Sequence, residues 1–175
     1  MPSTYTLISS NVLSSSAASV TFSAIPSTYT DLVLRISARD TNTGAIIANT
    51  SFTFNGSSGS LYSITKLIGD GSAASSSRRS NITSDEFYYP GANAGMSANT
   101  FGSVEIYIPS YTASQNKPFS TFAVTENNSA TGGNSEIDAW ANLYRDTAAI
   151  SSIAINAYVN FAAGSSFYLY GIKNS

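Results

Sequence analysis

Residues 25–39, IPSTYTDLVLRISAR, carry the most regular hydrophobic pattern in the chain. After Pro26 and a polar turn, side chains alternate strictly between two faces. One face holds Leu32, Leu34, Ile36 and Ala38, and the other holds Val33, Arg35, Ser37 and Arg39. A period of two over eight residues is typical of a β-strand with one face in a core. We expect the second face to pair its two arginines with acidic groups, within the fold or across a subunit boundary.

Similar runs recur to the end of the chain, where residues 167–173 read FYLYGIK. They are rich in Tyr, Phe, Ile, Val and Thr, which favour strands, and Gly, Pro, Asn or Asp residues separate them. Alternating faces favour antiparallel over parallel sheets. We therefore predict an all-β fold: an antiparallel two-sheet β-sandwich, jelly-roll-like, with about ten short strands in a single domain over residues 1–175. Residues 72–99 are weakly patterned and could hold a short helix or long loops.

The alternation also predicts which side chains face the core of each strand. For most strands the inward set is plainly apolar, as with Phe52 and Phe54. The strand near residue 140 is the ambiguous one. There we predict that Ile137, Ala139, Ala141 and Leu143 face inward, and that Asp138, Trp140, Asn142 and Tyr144 face outward.

Composition narrows the possible functions. The chain has 175 residues, long enough to bury roughly 70% of its unfolded surface. Charged residues make up 10%, against about 25% in ordinary domains. There is no cysteine and no histidine, which removes thiolate chemistry and the commonest general base and metal ligand. A net charge of −2 gives no electrostatic reason to bind nucleic acid or an anionic membrane.

The segment MPSTYTLISSNVLSSS has no basic region followed by an apolar run. We therefore expect no secretory signal peptide. No stretch approaches the roughly 18 consecutive apolar residues of a membrane helix. We expect a protein that is made soluble and has no membrane partner.

The few candidates for a catalytic or metal-binding site are acidic residues. Asp85 with Glu86, and Glu136 with Asp138, could form carboxylate pairs for catalysis. Solvated acids at strand ends explain them more simply, and we expect no enzyme activity. Asp40 with Asn42, or Asp70 with Ser72, could supply oxygen ligands to calcium. Turn formation explains both pairs more simply, so we expect neither a metal nor a cofactor.

Basic and aromatic residues are the better candidates for a contact surface. Tyr and Trp bury a large area while keeping a polar tip, which suits interfaces. The doublet Arg78-Arg79 is too short to bind nucleic acid. Exposed loop arginines are the simplest explanation of it, and as a contact it would suit an acidic patch on a neighbouring subunit. The predicted interface residues are Arg35, Arg39, Arg78, Arg79, Tyr88, Tyr89, Trp140 and Tyr144.

Several short sequence segments occur together along the chain: YTLISS, IPSTYTDLVLRISAR, SFTFNGSSGSLYS, GDGSAAS, VEIYIP, AVTENN and YLYGIKNS. Together they resemble a group of small β-sandwich virion proteins of tailed bacteriophages, notably phages of aquatic bacteria, of the capsid-decoration or tail-fibre-like kind. The resemblance covers nearly the whole chain. The resemblance lies in the sequence segments of strands and turns and includes no active-site residue. It implies a β-sandwich on the outside of a phage particle.

The resemblance and the composition together lead to one expected function and one alternative. The expected function is a capsid decoration (cement) protein, a homotrimer that binds the outer surface of the major capsid protein shell after synthesis in the host cytoplasm. The alternative is a tail-fibre tip that recognises a host glycan, with the exposed tyrosines and Trp140 as a stacking platform.

Overall fold

The computed structural model describes residues 4–43, 49–88, 92–93, 97–128 and 135–173, without the side chains of residues 49 and 88. Every regular element in these ranges is a β-strand. No helix in them is long and apolar enough to cross a membrane. The strands are β1 (Tyr5–Val12), β2 (Ala17–Phe22), β3 (Asp31–Ala38), β4 (Asn49–Phe54), β5 (Tyr62–Gly69), β6 (Ala74–Ile82), β7 (Asp85–Tyr88), β8 (Gly102–Ile108), β9 (Lys117–Thr125), β10 (Glu136–Tyr144), β11 (Ile153–Phe161) and β12 (Ser166–Ile172).

The strands form two antiparallel sheets. The larger has the order β1-β12-β3-β8-β9-β10-β5-β6 and the smaller has the order β2-β11-β4-β7. Eight of the strands therefore form two facing sets, β1-β12-β3-β8 and β2-β11-β4-β7, with the chain passing repeatedly between the sheets. This is the jelly-roll order, and it confirms the predicted all-β sandwich.

The other four strands are two hairpins inserted into the jelly roll. The β5–β6 hairpin lies between β4 and β7 in sequence, and the β9–β10 hairpin lies between β8 and β11. Both join the same sheet beyond β8, in the order β9-β10-β5-β6. This extension gives the larger sheet twice as many strands as the smaller one.

An aromatic cluster joins the two sheets. Phe54 of β4 is fully buried, and its ring centroid lies 5.3 Å from Phe119 and 5.3 Å from Tyr144, both edge to face. Phe52 lies 5.6 Å from Phe54. The backbone N–H of Phe54 donates a 2.7 Å hydrogen bond to the hydroxyl oxygen of Tyr62, which gives this buried oxygen a partner. Edge-to-face ring pairs of this kind add to the stabilisation that burial provides.

The alternation in β3 predicted its core face correctly. Leu32, Leu34, Ile36 and Ala38 are all buried in the core cluster. The alternating apolar residues of β4, β8 and β12 are buried as well: Phe52 and Phe54, then Val104, Ile106 and Ile108, and finally Phe167 and Leu169. Val33 differs from its prediction, because it is also buried although it points to the other face. It lies between Tyr107 and Tyr170 on the neighbouring strands, and these side chains cover it.

Two sequence predictions about local structure were wrong. Part of residues 72–99 forms β6 and β7 rather than a helix or only loops. The serine-rich β6 has no buried residue because it is an edge strand, so hydrophobic alternation could not reveal it. In β10 the two faces are exchanged: Asp138, Trp140, Asn142 and Tyr144 are buried, whereas Ile137 is 54% exposed.

Gly171 of β12 lies directly under the ring of Tyr29, and a β-carbon at this position would overlap that ring. We expect Gly171→Ala to lower the free energy of unfolding by about 1–3 kcal/mol, because the ring must move out of its packed position. Gly69→Ala is the matched control within the same sheet, since its β-carbon would lie 3.2 Å from one methyl group of Ile137. Urea unfolding of both variants checks the prediction, and equal stabilities would contradict it.

Candidate functional site

The outer face of the larger sheet carries most of the exposed large hydrophobic side chains among the described residues. Strand registers place seven of them on this one face. Nothing else in the described part of the chain packs over them. They are Tyr5, Leu7, Val12, Leu67, Tyr107, Phe122 and Ile137.

The hairpin extension forms an apolar hollow on this face. Ala139 pairs with Leu67 on one side and with Phe122 on the other, so two large side chains flank a small one. Ala141, the next outward residue of β10, continues the floor. The hollow measures about 480 Å³. Leu67 is 56% and Phe122 is 49% exposed, so the walls of the hollow are open to a partner side chain.

A polar groove of about 390 Å³ lies next to the hollow, on the jelly-roll part of the same face. Arg35 and Glu105 are directly paired on β3 and β8. The guanidinium donates from Nε at 3.0 Å, and Nη2 lies 2.9 Å from the same carboxylate oxygen. Tyr168 flanks Arg35 on β12. Three serines from adjacent strands complete the lining: Ser37, Ser103 and Ser166.

Further tyrosines on this face are held in place by polar contacts. The Tyr107 hydroxyl donates a 2.9 Å hydrogen bond to Asp31, and burial together with this carboxylate raises the pKa of the phenol. The Tyr5 ring lies 5.8 Å from the Arg35 guanidinium carbon and packs edge to face against Tyr170. The face therefore presents rings with fixed orientations, which lowers the entropy cost of binding a partner.

The two edges of the larger sheet differ in character. Edge strand β1, YTLISSNV, has no charged residue and exposes Tyr5, Leu7 and Val12. Edge strand β6, ASSSRRSNI, has two arginines and no exposed large hydrophobic side chain. Charges on an edge strand discourage pairing with another chain, and β1 lacks that protection apart from one register shift between Leu7 and Ser9.

The structure places the two arginines of the opening motif in different environments. Arg35 pairs with Glu105, which confirms the expected acidic partner within the fold. Arg39 was predicted wrongly. It follows the last residue of β3 and is buried, and its Nη1 donates 2.8 Å hydrogen bonds to the backbone carbonyls of Ser97 and Thr100. Its guanidinium ties two loops together and is not on an open contact face.

The basic doublet lies in β6 and its two side chains point to opposite faces. Arg79 forms an ion pair with Glu86 of β7, so its acidic partner lies in the same chain and not on a neighbouring subunit. This pair links an edge of the larger sheet to an edge of the smaller one. Arg78 belongs to the outer face and is exposed.

Two of the four predicted aromatic interface residues are buried. Trp140 is 2% exposed and Tyr144 is 0% exposed, and both face the space between the sheets. The predicted stacking platform at Trp140 is therefore wrong. Tyr88 ends β7, but its side chain and the whole of Tyr89 lie outside the described residues. We did not predict the residues that form the hollow. Ile137 and Ala139 were assigned to the core, and no outer surface that includes Phe122 was predicted.

The inner face of the extension changes from aromatic to polar along β10. Beyond Tyr144, the Asn142 side chain donates a 2.9 Å hydrogen bond to Thr121, and the Lys66 ammonium lies 4.9 Å from the centroid of the Trp140 ring. Burial raises the pKa of Asp138 to about 6. Burial, and then repulsion from Asp138, raise the pKa of Glu136 to about 7.

The two calcium candidates named from the sequence are turn formers. Asp40 is buried and accepts hydrogen bonds from the backbone N–H groups of Asn42 and Val159. Asp70 accepts from the backbone of Ser72 and Ala73 in the β5–β6 turn, and these bonds lower the pKa of its carboxyl. Both carboxylates use their oxygens to order the local backbone.

Asp85 at the start of β7 is a fully buried carboxyl. Its Oδ1 accepts a 2.7 Å hydrogen bond from the N–H of Glu86, whereas Oδ2 has no hydrogen-bond partner. Burial raises the pKa of this carboxyl well above its ordinary value, and the positive charge of Arg79 opposes the shift only in part. The native state therefore retains a proton at pH values where the unfolded chain has released it.

We expect Asp85 to make the protein less stable as the pH rises above about 4, because an acid with a raised native pKa favours folding only while it stays protonated. Asp85→Asn should remove this contribution and stabilise the protein at pH 8 by about 1–3 kcal/mol, the cost of an uncompensated buried polar group. Urea unfolding at pH 4, 6 and 8 measures the effect, with Glu105→Gln as an exposed control. Parallel pH curves for Asp85→Asn and the parent would contradict it.

Comparison with known proteins adds no relative. No protein-family model matches the chain, and neither does any curated protein or solved structure.

Proposed function

We propose that this protein is a capsid decoration protein of a tailed bacteriophage, which binds the outer surface of the major capsid protein shell as a homotrimer and stabilises it. The observation that carries the proposal is the outer face of the larger sheet. Seven exposed large hydrophobic side chains lie on one side of the sandwich. Exposed large hydrophobic side chains gathered on one face typically mark a site of protein–protein contact.

The apolar hollow is the part of this face that would bind a side chain of the capsid. Interfaces draw most of their binding energy from a few large side chains that enter well-packed pockets. Leu67 and Phe122 form walls and Ala139 a floor, so an apolar side chain of a capsid subunit can be enclosed there. The polar groove with Arg35 and Glu105 then forms part of the hydrated rim that interfaces commonly have.

The uncharged β1 edge supports assembly with further copies or with shell subunits, because its open backbone groups can accept another strand. The jelly roll itself occurs in viral capsid domains as well as in lectins. Fold analogy alone does not assign a function, so this observation is secondary to the exposed face. Shell stabilisation follows by mass action, because a ligand that binds only the intact shell shifts the equilibrium toward it.

The number of copies in purified phage particles tests this proposal directly. Quantitative mass spectrometry against the major capsid protein should give hundreds of copies per particle for a protein that covers the shell. Only a few copies would place the protein at a tail and overturn the decoration role.

The polar groove favours one alternative, a tail-fibre tip that recognises a host glycan. Tyr168 provides an aromatic ring beside Arg35 and Glu105, and the three serines add hydroxyls along the groove floor. Sugar rings bind to such combinations of an aromatic face and fixed polar groups. Glycan-array binding that is lost on Tyr168→Ala would support this alternative over decoration of the shell.

A further inference from the structure

A second hollow adjoins the apolar hollow on the outer face of the hairpin extension. It measures about 360 Å³ and shares two lining residues, Thr65 and Ala141, with the apolar hollow. Thr65 and Ala141 are directly paired, and on the same face the next pair along the two strands is Leu67 with Ala139. A partner segment that fills the apolar hollow therefore lies beside the second hollow as well.

Arg78 lines the second hollow on the β6 side. It is directly opposite Thr65 and is a diagonal neighbour of Leu67, which places it about 7–8 Å from that wall of the apolar hollow. Its side chain is exposed. The structure describes every residue of the four strands of the extension, and among their outward positions Arg78 is the one charged side chain.

No acidic side chain of the extension balances Arg78 on this face. Glu136 and Asp138 of β10 alternate to the inner face. Glu105 lies on β8, four strands from β6, which is roughly 19 Å at the usual strand spacing, and its carboxylate pairs with Arg35. The outer face of the extension thus carries one positive charge and no negative charge, although the whole chain has a net charge of −2.

The cost of covering Arg78 indicates the charge of the partner. A purely apolar segment over both hollows would remove water from the guanidinium without giving it a partner, and a basic segment would add repulsion. A carboxylate would instead form charge-assisted hydrogen bonds with the guanidinium, whose planar fork suits this contact. Charge complementarity therefore favours a segment in which an acidic residue accompanies the apolar one.

We propose that the outer face of the extension binds an acidic–apolar segment of the major capsid protein, with an apolar side chain in the apolar hollow and an Asp or Glu carboxylate on Arg78. This inference rests on the proposed decoration function and adds the chemistry of the partner segment to it. Side chains on one side of an extended segment recur every two residues, about 7 Å apart, which matches the spacing of Leu67 and Arg78. We therefore expect the acid two residues from the apolar side chain.

Cosedimentation with undecorated phage shells in about 50 mM NaCl, where charge pairs are little screened, tests the role of Arg78. We expect Arg78→Glu to weaken binding by roughly 10- to 100-fold, because the pair is lost and two like charges then meet. Arg78→Lys keeps the charge and should stay within about fivefold of the parent. Lys173→Glu is the control: it changes the net charge equally at an exposed position after β12, six strands from β6, and should bind as the parent does.

Carbodiimide coupling of the Arg78→Lys variant on the shell identifies the partner residue. The lysine amine forms an amide with an adjacent carboxylate, and the displaced carboxylate oxygen leaves on the reagent, which becomes a urea. We expect mass spectrometry to find position 78 joined to an Asp or Glu of the major capsid protein, two residues from an apolar side chain.

Three results would overturn the acidic–apolar partner: a link from position 78 to a second copy of this chain, no link at position 78, or equal shell binding by Arg78→Glu and the parent. Failure of the parent itself to bind shells is a different result, because it would contradict the decoration function on which this inference rests.

Discussion

Phe54→Ala is expected to lower the free energy of unfolding by about 3–5 kcal/mol, the usual cost of removing a fully buried phenylalanine. The expected loss is at the upper end because Phe54 connects the sheets. Its ring contacts Phe52 in its own sheet and Phe119 and Tyr144 in the other. Removing it leaves a cavity where the narrow sheet packs against the wide one.

Urea unfolding monitored by circular dichroism measures the loss, and Phe122→Ala is the matched control. Phe122 is the same residue type in the opposite environment, exposed on the outer face of the larger sheet. Its truncation should change stability by less than about 0.5 kcal/mol, as is usual for surface positions. Similar losses in both variants would mean that the aromatic cluster is not the main contact between the sheets.

Phe122→Asp is expected to weaken binding to phage shells by roughly 30- to 1,000-fold, which corresponds to the ~2–4 kcal/mol of an interface hot spot. The substitution places a charge on the wall of the apolar hollow, where a bound capsid subunit would exclude water. Folding should be unaffected, because this side chain makes no contribution to the core cluster. Cosedimentation of the purified variant with undecorated shells measures the binding.

Tyr158→Asp controls for a general effect of added charge. Tyr158 is 61% exposed and belongs to β11 of the smaller sheet, away from the proposed contact face. This variant should bind shells as the parent does. The opposite result, with binding lost in Tyr158→Asp and kept in Phe122→Asp, would assign the contact to the smaller sheet.

The sequence predicted strands wherever one face was apolar and the other polar. This rule identified β3, β4, β8 and β12 with their inward faces, because each lies over the jelly-roll core. It missed β6, which has one neighbouring strand and is exposed along its length except at the terminal Ile82, so no alternating apolar residues mark it. Hydrogen bonding to β5, and not burial, makes this segment a strand.

The same rule inverted β10, and the reason is physical. The inner face of the extension buries polar groups such as Asp138 and Asn142 beside Trp140 and Tyr144. Its outer face remains uncovered and carries Ile137. A rule that assigns apolar residues to the core cannot separate a contact face from a core face. Hydrophobic patterning therefore revealed neither the apolar hollow nor the burial of Asp138.

Arg39 illustrates a second limit of prediction from local sequence patterns. Its position two residues after Ser37 suggested the outer face, but β3 ends at Ala38, before Arg39. The guanidinium donates to carbonyls of residues 97 and 100, about 60 positions away in sequence. Contacts between distant loops depend on the tertiary fold and leave no local pattern.

The thermal rupture of phage shells tests the decoration role most directly. Shells prepared without the protein are compared with shells to which the parent protein, or Phe122→Asp, has been added in excess. We predict that the parent raises the rupture temperature by several degrees and that Phe122→Asp does not, since stabilisation requires binding through the outer face. A rupture temperature that stays the same with the parent protein bound would contradict a stabilising role, and no binding at all would contradict the decoration proposal itself.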